Sequence, residues 1–207
     1  MLVGEGQDWL DGEERAWDIV AELNPEDVSL RAKAVYDELS RHCILPLFNE
    51  EIFVSPKNRK IWGNSPKADF LLNELRYYSR LSVLWYLIQA KNIPLSGKLI
   101  NPSNTGNGLM FSKGSHVLPL DKIAERYGND IQGFLRRGGE FGGVQLSYGD
   151  ASFRFFPFPR VPVILLLWKS DGEFPARADL LFDSTCTVHL PMDIIWSTAM
   201  LSILIML

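Results

Sequence analysis

The sequence predicts an α+β fold, in which an antiparallel meander sheet is packed by helices and preceded by an amino-terminal helical pair. Three observations lead to this fold class. Apolar residues recur at helical spacing near the amino terminus, short strand-like segments separated by turns fill residues 141–190, and residues 163–168 are apolar without alternation. We therefore expect one domain over residues 1–207, with the helical pair in 1–42 and the sheet with its further helices in 43–207.

The helical pair is predicted from two apolar patterns separated by Asn24-Pro25, which ends a first helix over residues 13–23. Asn24 can cap a second helix, and Pro25 suits its first turn. This second helix is expected to continue to residue 39. The apolar residues that keep the helical period as far as that point are Val28, Ala32, Val35, Tyr36 and Leu39.

The middle of the chain predicts a hairpin, a long helix and a loop. Residues 48–62 place β-rich segments on both sides of a Ser-Pro-Lys-Asn turn signal, which is typical of a hairpin. Residues 70–91 are the longest helical candidate, and their apolar stripe predicts a core helix. Residues 92–114 are rich in glycine, asparagine and proline, so we expect a loop with short strands. Two short helices are predicted within residues 119–137.

The predicted meander has strands near residues 144–148, 151–156, 163–168 and 178–182. The apolar third strand is expected to be central and covered on both faces, so helices should pack on the sheet. The last apolar stretch, residues 194–207, falls short of the ~20 residues that a helix needs to cross a bilayer. We interpret it as a helix buried in the core. An exposed end that pairs with another chain and an anchor in a membrane interface are the alternatives.

Alternating strand directions decide which loops of a meander share an edge. The first turn and the loop after the third strand fall on one edge, so Asp150, Asp171, Glu173 and Arg177 are expected close together. The three carboxylates could bind a hard divalent cation, or one could act as an acid with a raised pKa beside an ionised base. Alternatively, the acids only stabilise the backbone of the turns in which they lie, and Glu173 forms an ion pair with Arg177. No metal ligand is assigned.

The opposite edge of the meander is expected to carry Arg160, Asp183 and His189. We predict structural roles for the first two: Asp183 pairs with Arg160 or caps the turn into the last helix. Cys186 and His189 are three residues apart, and in a strand they would point to opposite faces, which makes a poor nucleophile pair.

Charge and cysteine content exclude several functions. The formal net charge is -4, and there is no block of Lys and Arg, so the protein has no positive electrostatic field that would attract phosphate backbones. Nucleic acid is therefore not an expected partner. Cys43 and Cys186 lie too far apart to build an iron–sulfur or zinc site from this chain. The amino terminus lacks the basic and apolar regions of a secretory signal, so we expect a cytoplasmic protein and no membrane partner.

Several short motifs resemble an uncharacterised prokaryotic family, a domain of unknown function with an LFD motif. The motifs are WKSDGEFP at 168–175, LFD at 181–183, LPMD at 190–193, PLSG at 94–97, Gly142-Gly143, Gly149-Asp150 and PRVP at 159–162, so the similarity covers roughly residues 28–195. The resemblance implies an origin in anaerobes and, because some members are fused to an iron–sulfur domain, an association with corrinoid or redox metabolism. This chain lacks the cysteines of that domain, so any cluster must come from a partner protein. The resemblance also implies that residues 194–207 form a closing helix.

The sequence leads to three functional hypotheses. The first is a ligand- or cofactor-binding module whose pocket lies between residues 92–114 and the acidic edge of the sheet, with a small molecule or a tetrapyrrole such as a corrinoid as ligand. The second is a metal-assisted hydrolase or transferase that uses the three acids of that edge. The third is an interaction domain for an iron–sulfur protein. No catalytic residue or cofactor is identified. The residues expected to bind a ligand are Gly97, Asp150, Trp168, Asp171, Glu173 and Arg177.

Overall fold

The computed structural model describes residues 3–104 and 116–207, which form an α+β fold with two antiparallel sheets. The helices are α1 (Val3–Ala21), α2 (Pro25–Ala32), α3 (Pro66–Asp69), α4 (Arg76–Gln89), α5 (Leu120–Tyr127), α6 (Ile131–Glu140), α7 (Cys186–His189) and α8 (Met192–Leu204). The strands are β1 (Val35–Asp37), β2 (His42–Leu47), β3 (Glu50–Ser55), β4 (Lys60–Gly63), β5 (Leu99–Ile100), β6 (Val144–Leu146), β7 (Ala151–Phe158), β8 (Val161–Trp168) and β9 (Arg177–Asp183).

The first sheet, sheet A, has the strand order β1-β2-β3-β4. Its last two strands are the hairpin predicted within residues 48–62, and the prediction is confirmed. At the turn Arg59 takes a left-handed backbone conformation (φ 49°) and donates its N–H to the Pro56 carbonyl. The strands β1 and β2 were not predicted. They extend the hairpin to a four-stranded sheet.

The second sheet, sheet B, has the order β5-β9-β8-β7-β6. The four predicted strands of the meander are therefore confirmed, and β5 adds a fifth strand at the β9 edge. β8 is the central strand, and every residue in it except Trp168 is buried. Its side chains alternate between two faces. Val163, Leu165 and Leu167 belong to the main apolar core, whereas the buried Ile164 and Leu166 lie outside that cluster.

Helices pack on the core face of sheet B. In α6 the Phe134 ring lies 5.6 Å from the Phe153 ring of β7, and α4 contributes Tyr86, which stacks on Phe158 at 4.5 Å. The last helix, α8, is mostly apolar, and the majority of its residues are buried, so the predicted burial of residues 194–207 is confirmed. Within residues 3–104 and 116–207, the helices are too short or too polar for a membrane span.

The second amino-terminal helix is shorter than the sequence predicts. α2 ends at Ala32, because Lys33 takes a left-handed conformation (φ 52°) and donates its N–H to the Ser29 carbonyl. The apolar period continues to residue 39 by coincidence, and the β-favouring Val35 and Tyr36 form strand β1 instead. The helical part of residues 1–42 therefore stops before residue 35.

The long helix predicted over residues 70–91 is present with one irregularity. It begins earlier, at α3, where the Ser65 hydroxyl accepts a hydrogen bond from the Ala68 N–H. A π-helical turn over Phe70–Glu74 separates α3 from α4. α4 is a core helix, as predicted, and α1 packs along it through an ion pair in which Arg80 lies 3.0 Å from Glu13.

Candidate ligand-binding site

Two turns at one end of sheet B are tied together by Asp150. The β6–β7 turn requires Gly149, whose φ is +60° and whose added Cβ would lie 2.8 Å from the Leu167 carbonyl oxygen. This close approach brings Asp150 alongside the end of β8. One oxygen of its carboxylate then accepts a hydrogen bond from the Lys169 N–H at 2.9 Å. The turn and the β8–β9 loop are therefore held at the same edge, as the strand directions predicted.

The β8–β9 loop, residues 169–176, is closed by Asp171. Its Oδ1 accepts hydrogen bonds from the N–H groups of Glu173 (3.1 Å) and Phe174 (2.8 Å), and Gly172 between them has a φ of +89°. The Ser170 hydroxyl donates to the Phe174 carbonyl at 3.2 Å. This arrangement presents the Phe174 ring to solvent, where 68% of the residue is exposed.

A pocket of about 670 Å³ lies between the two turns, a volume within the usual range for small-molecule sites. One wall is the Trp168 ring, over which the Arg177 guanidinium stacks at 4.2 Å from the ring centroid. The two residues are direct partners on β8 and β9. The residues that line the pocket are Asp150, Trp168, Lys169, Asp171, Phe174, Pro175 and Arg177.

The charges of the pocket are mixed. Hydrogen bonds from the Phe174 and Glu173 N–H groups lower the pKa of Asp171, so this residue is a carboxylate rather than a general acid with a raised pKa. Lys169 and Arg177 form no ion pair within the described residues 3–104 and 116–207. In the same part of the chain, no three His, Cys, Asp or Glu side chains come together as a metal site.

The structure divides the residues that the sequence assigned to one ligand site. Asp150, Trp168, Asp171 and Arg177 line the pocket together. Glu173 belongs to the same loop but does not line the pocket. Gly97 lies at the opposite end of β9, ~20 Å away along a strand of seven residues at ~3.3 Å each. Part of the segment expected to cover the pocket, residues 105–114, lies outside the described residues.

At this opposite end Asp183 joins two segments of the chain. Its carboxylate accepts hydrogen bonds from the N–H groups of Ser96, Gly97 and Thr185, at 3.1, 2.8 and 3.0 Å, and from the hydroxyls of Ser96 and Thr185. Burial alone raises the pKa of Asp183, but the hydrogen bonds from Thr185 and Ser96 outweigh it and lower the pKa to about 2. Asp183 therefore anchors β5 and the start of α7 to the end of β9.

Arg160, in the β7–β8 turn, binds other partners than Asp183. It is 8% exposed and donates to the carbonyls of Arg31 (2.7 Å), Ile93 (3.1 Å) and Leu30 (3.2 Å) and to the side-chain oxygen of Asn92 (2.5 Å). Its side chain thus connects the end of α2 and the segment after α4 to sheet B.

Cys186 and His189 lie on helix α7, whereas a strand was expected there. A helix brings residues three apart onto one side, which removes the argument from opposite faces. Chemistry gives a different reason against a nucleophile pair. Burial raises the pKa of the Cys186 thiol to about 12, and burial together with Arg160 lowers the pKa of His189 to about 4. The thiol stays protonated at neutral pH.

Three pocket residues were absent from the predicted site: Lys169, Phe174 and Pro175. All three belong to the WKSDGEFP motif at residues 168–175, so the motif as a whole was the available signal. The prediction selected acids because carboxylates carry most metal and acid–base chemistry. The tyrosines Tyr78 and Tyr86 of α4 do not line this pocket: Tyr78 packs on Trp196, and Tyr86 is in the core.

The model of a protein family described as a domain of unknown function (DUF3786) matches residues 24–204. Neither the curated proteins nor the solved structures include a match to this chain. The family match confirms the expected domain-of-unknown-function family, and it covers both sheets and the pocket.

Proposed function

Because the chain belongs to the DUF3786 family, whose description names no activity, we propose from the pocket geometry that the protein binds a flat ligand with a polar rim. The first ligand class to test is a corrinoid. This proposal takes an anaerobic prokaryote as its setting from the resemblance described above, and the cytoplasm from the expectation based on the amino terminus.

The observation that supports this proposal is the combination of an aromatic wall with donors and acceptors around one pocket. Trp168 and Phe174 offer flat apolar surface. Lys169 and Arg177 are donors, and Asp150 and Asp171 each use one carboxylate oxygen on the backbone, which leaves the other as an acceptor. The rim of a corrin macrocycle carries amide groups, which both donate and accept hydrogen bonds. A corrinoid would be partly enclosed here.

The test is titration of the protein with cobalamin and with cobinamide, which keeps the macrocycle but lacks the nucleotide loop. We expect a change in the visible spectrum and a raised melting temperature with both. Phe174→Ala should weaken binding about 3- to 10-fold, because it removes stacking surface from a residue that the fold does not bury.

Val117→Ala is the matched control, because Val117 is 52% exposed and does not line the pocket. This variant should bind both probes like the unmodified protein. An absence of spectral and thermal response to either probe, or equal weakening in both variants, would contradict a corrinoid site in this pocket.

A metal-assisted hydrolase or transferase using Asp150, Asp171 and Glu173 is an alternative proposal. It requires a divalent cation at the same edge, and the free oxygens of Asp150 and Asp171 are the available ligands. Under this alternative, Mg²⁺ or Ca²⁺ should raise the melting temperature, and the double change Asp171→Asn with Glu173→Gln should abolish that rise. The binding proposal expects no effect of either ion.

An interaction domain for an iron–sulfur protein is the remaining alternative. It would need an exposed apolar surface. Aromatic residues are typically enriched at such interfaces. Co-purification of a protein with the absorption of an iron–sulfur cluster, lost when the surface is altered, is the result expected under this alternative.

A further inference from the structure

The outer face of sheet A carries a row of apolar side chains that crosses all four strands. Val35 pairs with Ile44, Ile44 with Phe53, and Phe53 with Trp62, so the four residues lie side by side. We call them the outer row. The alternate residues of the same strands point to the opposite face, where Leu45 and Val54 are fully buried. In an antiparallel sheet with one solvated face, the outer positions are normally polar.

The outer row is separate from the apolar core. Among the described residues, none of its four members belongs to the core cluster or packs against it. Val35 is 63% exposed. Phe53 and Trp62 stack with ring centroids 5.5 Å apart, and His42 meets Trp62 edge-on at 4.7 Å. Ile44, Phe53 and Trp62 are half-buried, so the row is a partly exposed apolar surface with two stacked aromatic rings. Exposed apolar surfaces rich in aromatic residues mark sites of protein association.

Two opposite charges flank the outer row on the same face. Lys60 lies two residues before Trp62 on β4, and Glu51 lies two residues before Phe53 on the antiparallel β3. The two charged residues therefore stand on opposite sides of the row, each at ~6.6 Å along its strand. Both are exposed, and neither forms an ion pair within the described chain.

From this arrangement we propose that the outer face of sheet A is a homodimer interface, with a second copy of this chain as its occupant. A two-fold axis along the outer row places the row of one copy on the row of the other. The same rotation brings Lys60 of each copy over the Glu51 side of its partner. Their strands are neighbours, ~4.8 Å apart, which a lysine side chain spans. The charge pattern is therefore self-complementary.

The size of the face sets the strength of the association. Four strands at ~4.8 Å and five residues at ~3.3 Å cover ~19 by ~17 Å, or ~650 Å² over both copies, which is below the ~1,200 Å² of stable specific interfaces and typical of weak association. We therefore expect a reversible dimer that dissociates on dilution. Face-to-face packing of two twisted sheets at ~30° is a common geometry for such a contact.

Sedimentation velocity of the full chain from ~5 to ~500 µM tests the proposal. We expect a concentration-dependent shift from monomer to dimer. Lys60→Glu and Glu51→Lys should each weaken dimerisation ~5-fold or more, because each places like charges opposite one another. The double variant restores opposite charges and should recover the dimer. Val35→Glu should abolish it, while the exposure of Val35 keeps the change compatible with folding.

Lys122→Glu, on the exposed surface of α5, makes the same charge change away from the face and should leave dimerisation unaltered. A chain that is monomeric at every concentration would overturn the proposal, and another partner for the row would then be sought. A dimer that persists in Val35→Glu and in both charge reversals would assign dimerisation to a different surface, which also overturns it.

Discussion

Replacing Arg160 with methionine is expected to lower the free energy of unfolding by about 3–5 kcal/mol. The guanidinium is 8% exposed and donates four hydrogen bonds, to the carbonyls of Leu30, Arg31 and Ile93 and to the Asn92 side chain. Methionine is apolar and has no donors, so the Arg31 carbonyl would stay buried without this partner, and the part-buried acceptors of Leu30, Ile93 and Asn92 would lose theirs. The end of α2 and the segment after α4 would lose their connection to sheet B. Urea denaturation of both proteins measures the difference.

Arg136→Met is the matched control for this prediction. Arg136 is exposed on α6, so the same loss of charge and donors should change the free energy of unfolding by less than ~0.5 kcal/mol. Arg160→Lys keeps the charge but cannot reach acceptors in several directions at once, so we expect most of the loss to remain. A stability of Arg160→Met equal to that of the control would show that the four hydrogen bonds contribute nothing net.

The second large effect is a loss of stability in mild acid that depends on His189. The imidazole is fully buried, its Nδ1 accepts a hydrogen bond from the Lys91 N–H at 3.2 Å, and its Nε2 is buried without a described partner. Burial, then the charge of Arg160, lowers its pKa from 6.5 to about 4, while Asp183 acts in the opposite direction. A proton on Nδ1 would also remove the acceptor for Lys91.

The sign of the effect follows from proton binding. Between pH 6.5 and about 4 the unfolded chain binds a proton at His189 that the folded chain excludes. The contribution of neutral His189 to the free energy of unfolding is therefore complete above pH 6.5 and is lost as the pH falls through about 4. The total loss is about 3 kcal/mol. Denaturation curves recorded at several pH values across this window measure it.

His189→Gln lacks the titrating group, so its stability should depend less on pH by about the same 3 kcal/mol over the window. Asp183 does not obscure the comparison. Its pKa is lowered from 3.8 to about 2, so its own effect on stability falls below pH 3.8. If His189→Gln shows the same pH profile as the unmodified protein, another group is responsible for the acid sensitivity. His189→Asn serves the same purpose if the glutamine variant does not fold.

Local signals were sufficient to place Asp150, Asp171 and Arg177 at one edge of sheet B, but not to identify Lys169, Phe174 and Pro175 as pocket residues. Gly149 and Asp150 mark a tight turn, and the unbroken apolar run of β8 marks a central strand, so the strand order and the shared edge follow from neighbours in sequence. The same local logic misplaced residues 33–39. There the helical period continues past the true end of α2, and only the left-handed Lys33 and the pairing of Val35 with Ile44 decide against a helix.

By itself the sequence determined the α+β class, the meander of sheet B and the grouping of Asp150 and Asp171 at one edge, because turn chemistry and side-chain period act over a few residues. The tertiary structure alone decided that Gly97 binds Asp183 and that Arg160 joins three segments of the chain. It also decided that Val35, Ile44, Phe53 and Trp62 lie side by side on the outer face of sheet A, where Val35 is exposed and the other three are half-buried. These contacts join residues distant in the chain, and their formation depends on sheet register and packing, which no local pattern encodes.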